Sequence, residues 1–214
     1  MKKKINNEDI IIASHNEGKV SEIKDLLKNY DLRTLSSSDL GIDEPEENGS
    51  SFEENALIKA STTSMLSKTV SISDDSGLCV NALNGEPGIY SARFSGPVSD
   101  DKKNRDLLLK KLEGVPFEER HASYHAVITL LHHHDDPTPY IAHGIWHGII
   151  AKEEKGEFGF GYDSLFIVPD LGCHAAELDI ETKQNYSHRG IALRKLTKYS
   201  VSYTHLTLPT SDLV

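Results

Sequence analysis

Two apolar runs, Tyr124 to Leu131 and Tyr140 to Ile149, enclose the polar tip Asp135-Asp136-Pro137, and no other segment restricts the fold as much. Runs rich in β-branched and aromatic residues read as strands, and the short connection joins them as an antiparallel hairpin. Around this hairpin the periodicity is helical. Val20, Ile23, Leu26 and Leu27 recur at helical spacing from Lys19, after a short strand over Ile10 to Ala13 and a polar loop. Phe52, Ala56, Leu57 and Ala60 predict a second helix, Asp100 to Leu112 a third, and Gly190 to Leu196 a last turn or two. Val70 to Ser73 and Phe166 to Val168 add extended pieces, the first running into Asp74-Asp75-Ser76-Gly77, with Asp74 and Asp75 at the strand end. Strands alternating with helices predict an α/β chain, and the hairpin makes its sheet mixed.

With 214 residues, 37% of them hydrophobic, the chain can bury a sizeable core as one folding unit. The formal charge of −10 argues against broad binding to nucleic acid. A nucleoside triphosphate meets the same repulsion, so a site for one must gather Lys and Arg or recruit a divalent cation. Cys79 and Cys173 lack metal-ligand spacing, which predicts buried free thiols and a reducing, cytoplasmic setting. Lys2, Lys3 and Lys4 are followed by Asn6, Asn7, Glu8 and Asp9, where a secretory leader requires an apolar stretch. No run reaches membrane-crossing length, so no membrane partner is expected.

Four clusters carry chemistry. The loop Ser14-His15-Asn16-Glu17-Gly18-Lys19 lies between strand and helix, where helix-start N–H groups face an anion; the same residues also suit a plain helix cap. Glu46, Glu47, Asp74 and Asp75 offer hard oxygen donors suited to magnesium, or else capped turns. Because neighbours on an extended segment point opposite ways, only one of Asp74 and Asp75 can face a given ligand while the other supports it. Phe160-Gly161-Tyr162-Asp163 pairs aromatic faces with a carboxylate, fit to stack on a base and accept from its ring N–H, or to pack as an aromatic turn. Lys183 and Ser187-His188-Arg189 concentrate donors that match a 6-keto purine and mismatch the adenine amino group, and they also suit a basic helix cap. The run His132-His133-His134 reads as a solvated hairpin tip, since consecutive residues cannot all converge on one ion.

In this order the segments resemble the Ham1-like inosine triphosphate pyrophosphatase family. The resemblance rests on SHNEGKVSEI from Ser14, GIDEPEENGSSFEENALIKA from Gly41, DDSGLCVNALNGEPGIYSARFSG from Asp74, FGYDSLF from Phe160 and SHRGIALRKL from Ser187. It implies an elongated α/β fold with a central mixed sheet, two lobes and a cleft between them, over one domain of residues 1–196, assembled as a homodimer. It also implies magnesium-dependent hydrolysis of inosine, deoxyinosine and xanthosine triphosphates to monophosphate and pyrophosphate.

Carried over by position, Ser14 to Lys19 contact the triphosphate, with Lys59 and Ser76 assisting. Glu46 and Asp75 hold the metal, Glu47 and Asp74 support them, and Asp75 takes the proton of the attacking water. Phe160, Gly161, Tyr162, Asp163, Lys183, His188 and Arg189 hold the nucleotide and read its base. Two features depart from the family. His15 stands where a small residue is common, and residues 197–214 lack the amphipathic terminal helix, reading as an atypical tail, disordered or an artefact of assembly. On the residues alone, a Maf-like pyrophosphatase and a nucleotide sensor without turnover remain open.

Overall fold

The predicted hairpin is the centre of the sheet. The computed structural model describes residues 9–28 and 33–204; the Lys2 to Glu8 segment and residues 205–214 lie outside them. Strands β1 (Ile10–Ala13), β2 (Thr34–Ser36), β3 (Ser71–Val80), β4 (His121–Leu131), β5 (Tyr140–Ile150), β6 (Phe166–Val168) and β7 (Cys173–His174) form one sheet. Their order is β2-β1-β3-β4-β5-β6-β7. The pairs of β1 with β2 and β3 are parallel and the rest antiparallel, so the sheet is mixed, as expected.

Helices cover both faces: α1 (Glu17–Leu27), α2 (Ser37–Leu40), α3 (Phe52–Ser67), α4 (Asp101–Lys111), α5 (Ile180–Tyr186) and α6 (His188–Thr204). Helix α3 packs on the β3 face that carries Ser71, Ser73 and Asp75. There Ser71 Oγ donates to the Ala60 carbonyl at 2.8 Å and Ser73 Oγ to that of Ala56 at 2.7 Å. The opposite face carries Ile72, Asp74, Ser76 and Leu78 and continues through Ala126 and Gly144 into the packing surface of α6. Ile12, Ile23, Ile72, Ile128 and Leu193 make one core cluster; Leu78, Trp146, Leu165 and Phe166 anchor another.

Gly144 sets how closely α6 lies on the sheet. A Cβ there would stand 1.9 Å from the His188 carbonyl oxygen and 2.9 Å from the Ala192 nitrogen. Both atoms are backbone and cannot swing away, so Gly144→Ala is expected to destabilise the protein by about 1–3 kcal/mol in urea unfolding. An unchanged midpoint would contradict this packing.

The structure departs from the sequence reading in three places. The Asp74-Asp75-Ser76-Gly77 segment does not end a short strand: it lies within β3, paired residue by residue with β4 from Ser71↔Leu131 to Val80↔Ala122. Asp and Gly disfavour strands, but the ladder satisfies the backbone and cations satisfy the carboxylates. The last helix runs from His188 to Thr204, through residues read as an irregular tail; Leu193, Leu196 and Thr197 are buried on it, and that packing outweighs weak β-branched propensity. Strands β2 and β7 and helices α2 and α5 are too short for periodicity to reveal.

The free thiols of Cys79 and Cys173 are half-buried, not fully buried. The His132 to His134 tip is exposed, with His133 bonded to Asp135, and no three His, Cys, Asp or Glu among the described residues converge as a metal cage.

Candidate active site

Strand β3 is a partition. Asp74 and Asp75 are adjacent on it, so their side chains leave by opposite faces, and Arg189 bonds the first while Lys59 bonds the second. On one side Arg189 Nε donates to Asp74 Oδ2 at 3.0 Å and Lys19 Nζ stands 2.9 Å from Asp74 Oδ1. Ser76, two residues along the strand, shares this face, donating to Asp74 Oδ1 at 2.9 Å and accepting from Arg189 at 2.9 Å. Burial alone would raise the Asp74 carboxyl, but Arg189 and Lys19 hold it well below its ordinary value.

On the other side Lys59, from α3, donates to Asp75 Oδ1 at 2.6 Å and to Glu47 Oε1 at 2.8 Å. Arg93 completes the group by donating to Glu47 Oε2 at 2.9 Å. Burial disfavours the charge on Lys59, yet the two carboxylates keep it protonated and raise its pKa. Burial pushes the Asp75 carboxyl above its ordinary value, Glu47 adds to this, and Lys59 opposes it. Asp75 Oδ2 is buried without a hydrogen-bond partner. Glu46 is exposed and makes no ion pair among the described residues, so it is Glu47 that joins Lys59 and Asp75.

The first loop feeds α1 into this partition. Asn16 caps the helix, its side-chain oxygen accepting from the Lys19 amide at 3.0 Å, and Ser14 Oγ accepts from the Asn16 amide at 3.2 Å. His15 turns away to bond the Ile42 carbonyl through Nε2 at 2.8 Å, and Glu17 opens the helix. Gly18 packs closely on the aromatic loop: a Cβ there would lie 2.8 Å from the Phe160 ring. The first loop and the aromatic loop therefore touch.

Beyond Asp74, Lys183 donates to Asp163 Oδ2 at 2.7 Å and to Glu22 Oε1 at 3.0 Å, and Arg189 also pairs with Glu22. Asp163 Oδ2 accepts from the Phe160 amide at 3.0 Å, and the Phe160 ring centroid lies 5.1 Å from Lys183 Nζ. His188 stacks on Tyr124 with centroids 4.7 Å apart and planes 7° from parallel. Burial and the nearby Arg189 push the His188 imidazole well below its ordinary pKa, so it is neutral, and its Nδ1 is buried and unpartnered. Tyr162 is buried and donates to the Ser91 carbonyl at 2.8 Å.

Asn16, Lys19, Ser76, Phe160, Lys183 and His188 thus line one cleft, together with Gly161, Asp163 and Arg189. Lys59, Glu47 and Asp75 gather behind β3 from it. Sequence reasoning missed Glu22, which joins Lys183 to Arg189, and also Arg93 and Tyr124. Glu22 was readable in part, since it stands three residues after Lys19 on the same helical face.

The donor set behind β3 fits a hard divalent cation. Asp75 Oδ2 is an orphaned buried acceptor, and Glu47 shares the Lys59 ammonium with Asp75. A site of few carboxylates is how magnesium is held when a substrate supplies other oxygens.

Residues 10–199 match the Ham1 family. A dITP/XTP pyrophosphatase of Haemophilus influenzae is 49% identical over 187 residues, covering 87% of this chain and 96% of that protein. One from Pectobacterium atrosepticum is 46% identical over the same length, covering 87% and 95%. The solved structure of a HAM1 protein from Coxiella burnetii superposes with a TM-score of 0.83 at 39% identity, covering 91% of this chain and 98% of that one. With its mixed sheet, its partitioned carboxylates and these likenesses, the chain belongs to the Ham1 family.

Proposed function

We propose that this protein hydrolyses non-standard purine nucleoside triphosphates, dITP, XTP and ITP, to the nucleoside monophosphate and pyrophosphate. The observation that carries this reading is the division of labour across β3: a neutral imidazole, aromatic faces and fixed cations on one side, a raised carboxyl beside a buried Lys on the other. The names of the 46–49% identical relatives supply the substrate class.

Each residue has a task. Lys19 and the capped start of α1 meet the phosphates, with Ser14, Asn16, Gly18 and Ser76 shaping that end of the cleft. Phe160 stacks on the base, and His188 Nδ1 is the buried polar atom left to address it. Four of the five Arg189 N–H donors are already engaged, so Arg189 acts chiefly by fixing Asp74, Glu22 and Ser76 around the base. Lys183 holds Asp163 in place. Asp75 accepts the proton of the attacking water, and Lys59 fixes its orientation and stabilises charge on phosphate oxygens.

Magnesium would be held by Asp75 and by Glu46, with Glu47 and Asp74 supporting. When bound, it supplies positive charge to the phosphate oxygens. A homodimer is proposed on the family resemblance alone. A cytoplasmic setting is supported by the two free thiols, and no helix of the described residues is long and apolar enough to cross a membrane.

A panel of dITP, XTP, ITP, ATP and GTP with magnesium, scored separately for pyrophosphate and orthophosphate, tests the reading. Pyrophosphate from the first three is expected, with kcat/KM for ATP lower by about tenfold to a hundredfold, the cost of burying a mismatched polar group. Orthophosphate as the first product would overturn it.

A further inference from the structure

Helix α4 lies outside the residues given roles above, yet it holds the aromatic loop by both main-chain groups of one residue, Gly161. Asp101 Oδ2 accepts from the Gly161 amide at 2.7 Å, and Arg105 NH1 donates to the Gly161 carbonyl at 2.9 Å. The two side chains are four residues apart and so share a helix face. Arg105 is itself fixed: its Nε donates to Glu154 Oε2 at 2.9 Å, and the same oxygen accepts from Ser164 Oγ at 3.0 Å. Gly161 has φ +64°, one of several conformations open to glycine, so the two hydrogen bonds select it from that wider range.

The helix is anchored in turn. Asn104 takes the Ser95 amide at 2.8 Å and donates to the Ala92 carbonyl at 3.0 Å, in the segment that follows β3. Tyr162, next to Gly161, bonds the Ser91 carbonyl of that segment. One continuous chain of hydrogen bonds therefore links the region beyond β3 to the loop that carries Phe160 and Asp163.

We propose that Asp101 and Arg105 are positioning residues that clamp the main chain of Gly161 on both sides of its Cα and so preset Phe160 and Asp163 for the base of the nucleotide. This rests on the proposed function for its substrate, but not for its geometry. The clamp acts through the loop, so its loss weakens capture of the nucleotide more than it slows the chemical step across β3. Asp101→Asn keeps an acceptor oxygen for the Gly161 amide and is the conservative control. Arg105→Lys keeps the charge but loses the planar fork that reaches Gly161 and Glu154 together.

Two measurements on the full chain decide it. Amide hydrogen exchange of the nucleotide-free protein should show the segment spanning residues 158–165 exchanging at least about tenfold faster in Asp101→Ala/Arg105→Ala, while β3 and β4 peptides keep their protection. Steady-state pyrophosphate release from dITP should show KM raised about tenfold with kcat within threefold, and Asp101→Asn close to the parent. Unchanged exchange at 158–165 overturns the clamp, as does a loosened loop with unchanged KM. Loss of β3 and β4 protection in the double variant passes the decision to Arg105→Lys, which must loosen the loop alone. A parent protein that turns over no nucleotide in the panel sinks the function reading instead, and the exchange result then stands by itself.

Discussion

Asp75→Asn is expected to slow pyrophosphate release by about 10²- to 10⁴-fold, the range that a positioned proton acceptor contributes. The substitution preserves shape and leaves Lys59 bonded to Glu47, so thermal unfolding should change far less than turnover. The argument turns on placement. Asp75 Oδ1 is held by Lys59 while Oδ2 is buried and free, and burial raises the carboxyl toward a more useful basicity. Turnover of Asp75→Asn within threefold of the parent, with saturating magnesium, would remove Asp75 from the reaction.

The second large effect concerns stability. Asp74→Ala leaves Arg189 and Lys19 without their shared buried carboxylate and should cost about 3–5 kcal/mol in urea unfolding. Since whole domains are stable by only about 5–15 kcal/mol, the variant should approach the unfolding threshold.

The same residue makes a pH prediction. Asp74 is held below its ordinary value when folded, so the unfolded chain binds the proton more readily. Its contribution is fully present above the unfolded carboxyl value of about 3.9 and is lost as pH falls toward the folded one. Acid unfolding of the parent should therefore steepen below that point, and in Asp74→Ala this component should vanish. Parallel acid-unfolding curves for the two proteins would sink the assignment.

Much of this was legible in the residues, for identifiable reasons. The hairpin declared itself because both strands are long and its tip is polar, and the observed β4 and β5 extend each run by only a few residues. Opposed facing of Asp74 and Asp75 followed from strand geometry alone, although that segment read as the end of a short strand and not as the middle of a long one. What sequence could not give was the choice of partners. Glu46 and Glu47 are indistinguishable as letters, and only the path of their loop brings Glu47 to Lys59. Arg189 read as a donor to a base, but three acceptors from α1 and β3 converge on it across more than a hundred residues of sequence. Asp101 and Arg105 carried no signal, because what they bind is the backbone of a distant glycine.

The placement of two carboxylates side by side on β3 has a consequence for how such a chain can change. A single-residue insertion or deletion upstream in this strand would reverse the facing of every side chain beyond it. Asp74 would then arrive at Lys59 and Asp75 at Arg189, exchanging the recognition and reaction sides in one step while leaving composition almost untouched. Substitutions can retune either side separately, but length changes in β3 cannot be tolerated piecemeal. Variation in the spacing of Asp74 and Asp75 from the start of the strand should be far rarer than variation in the loops at its ends.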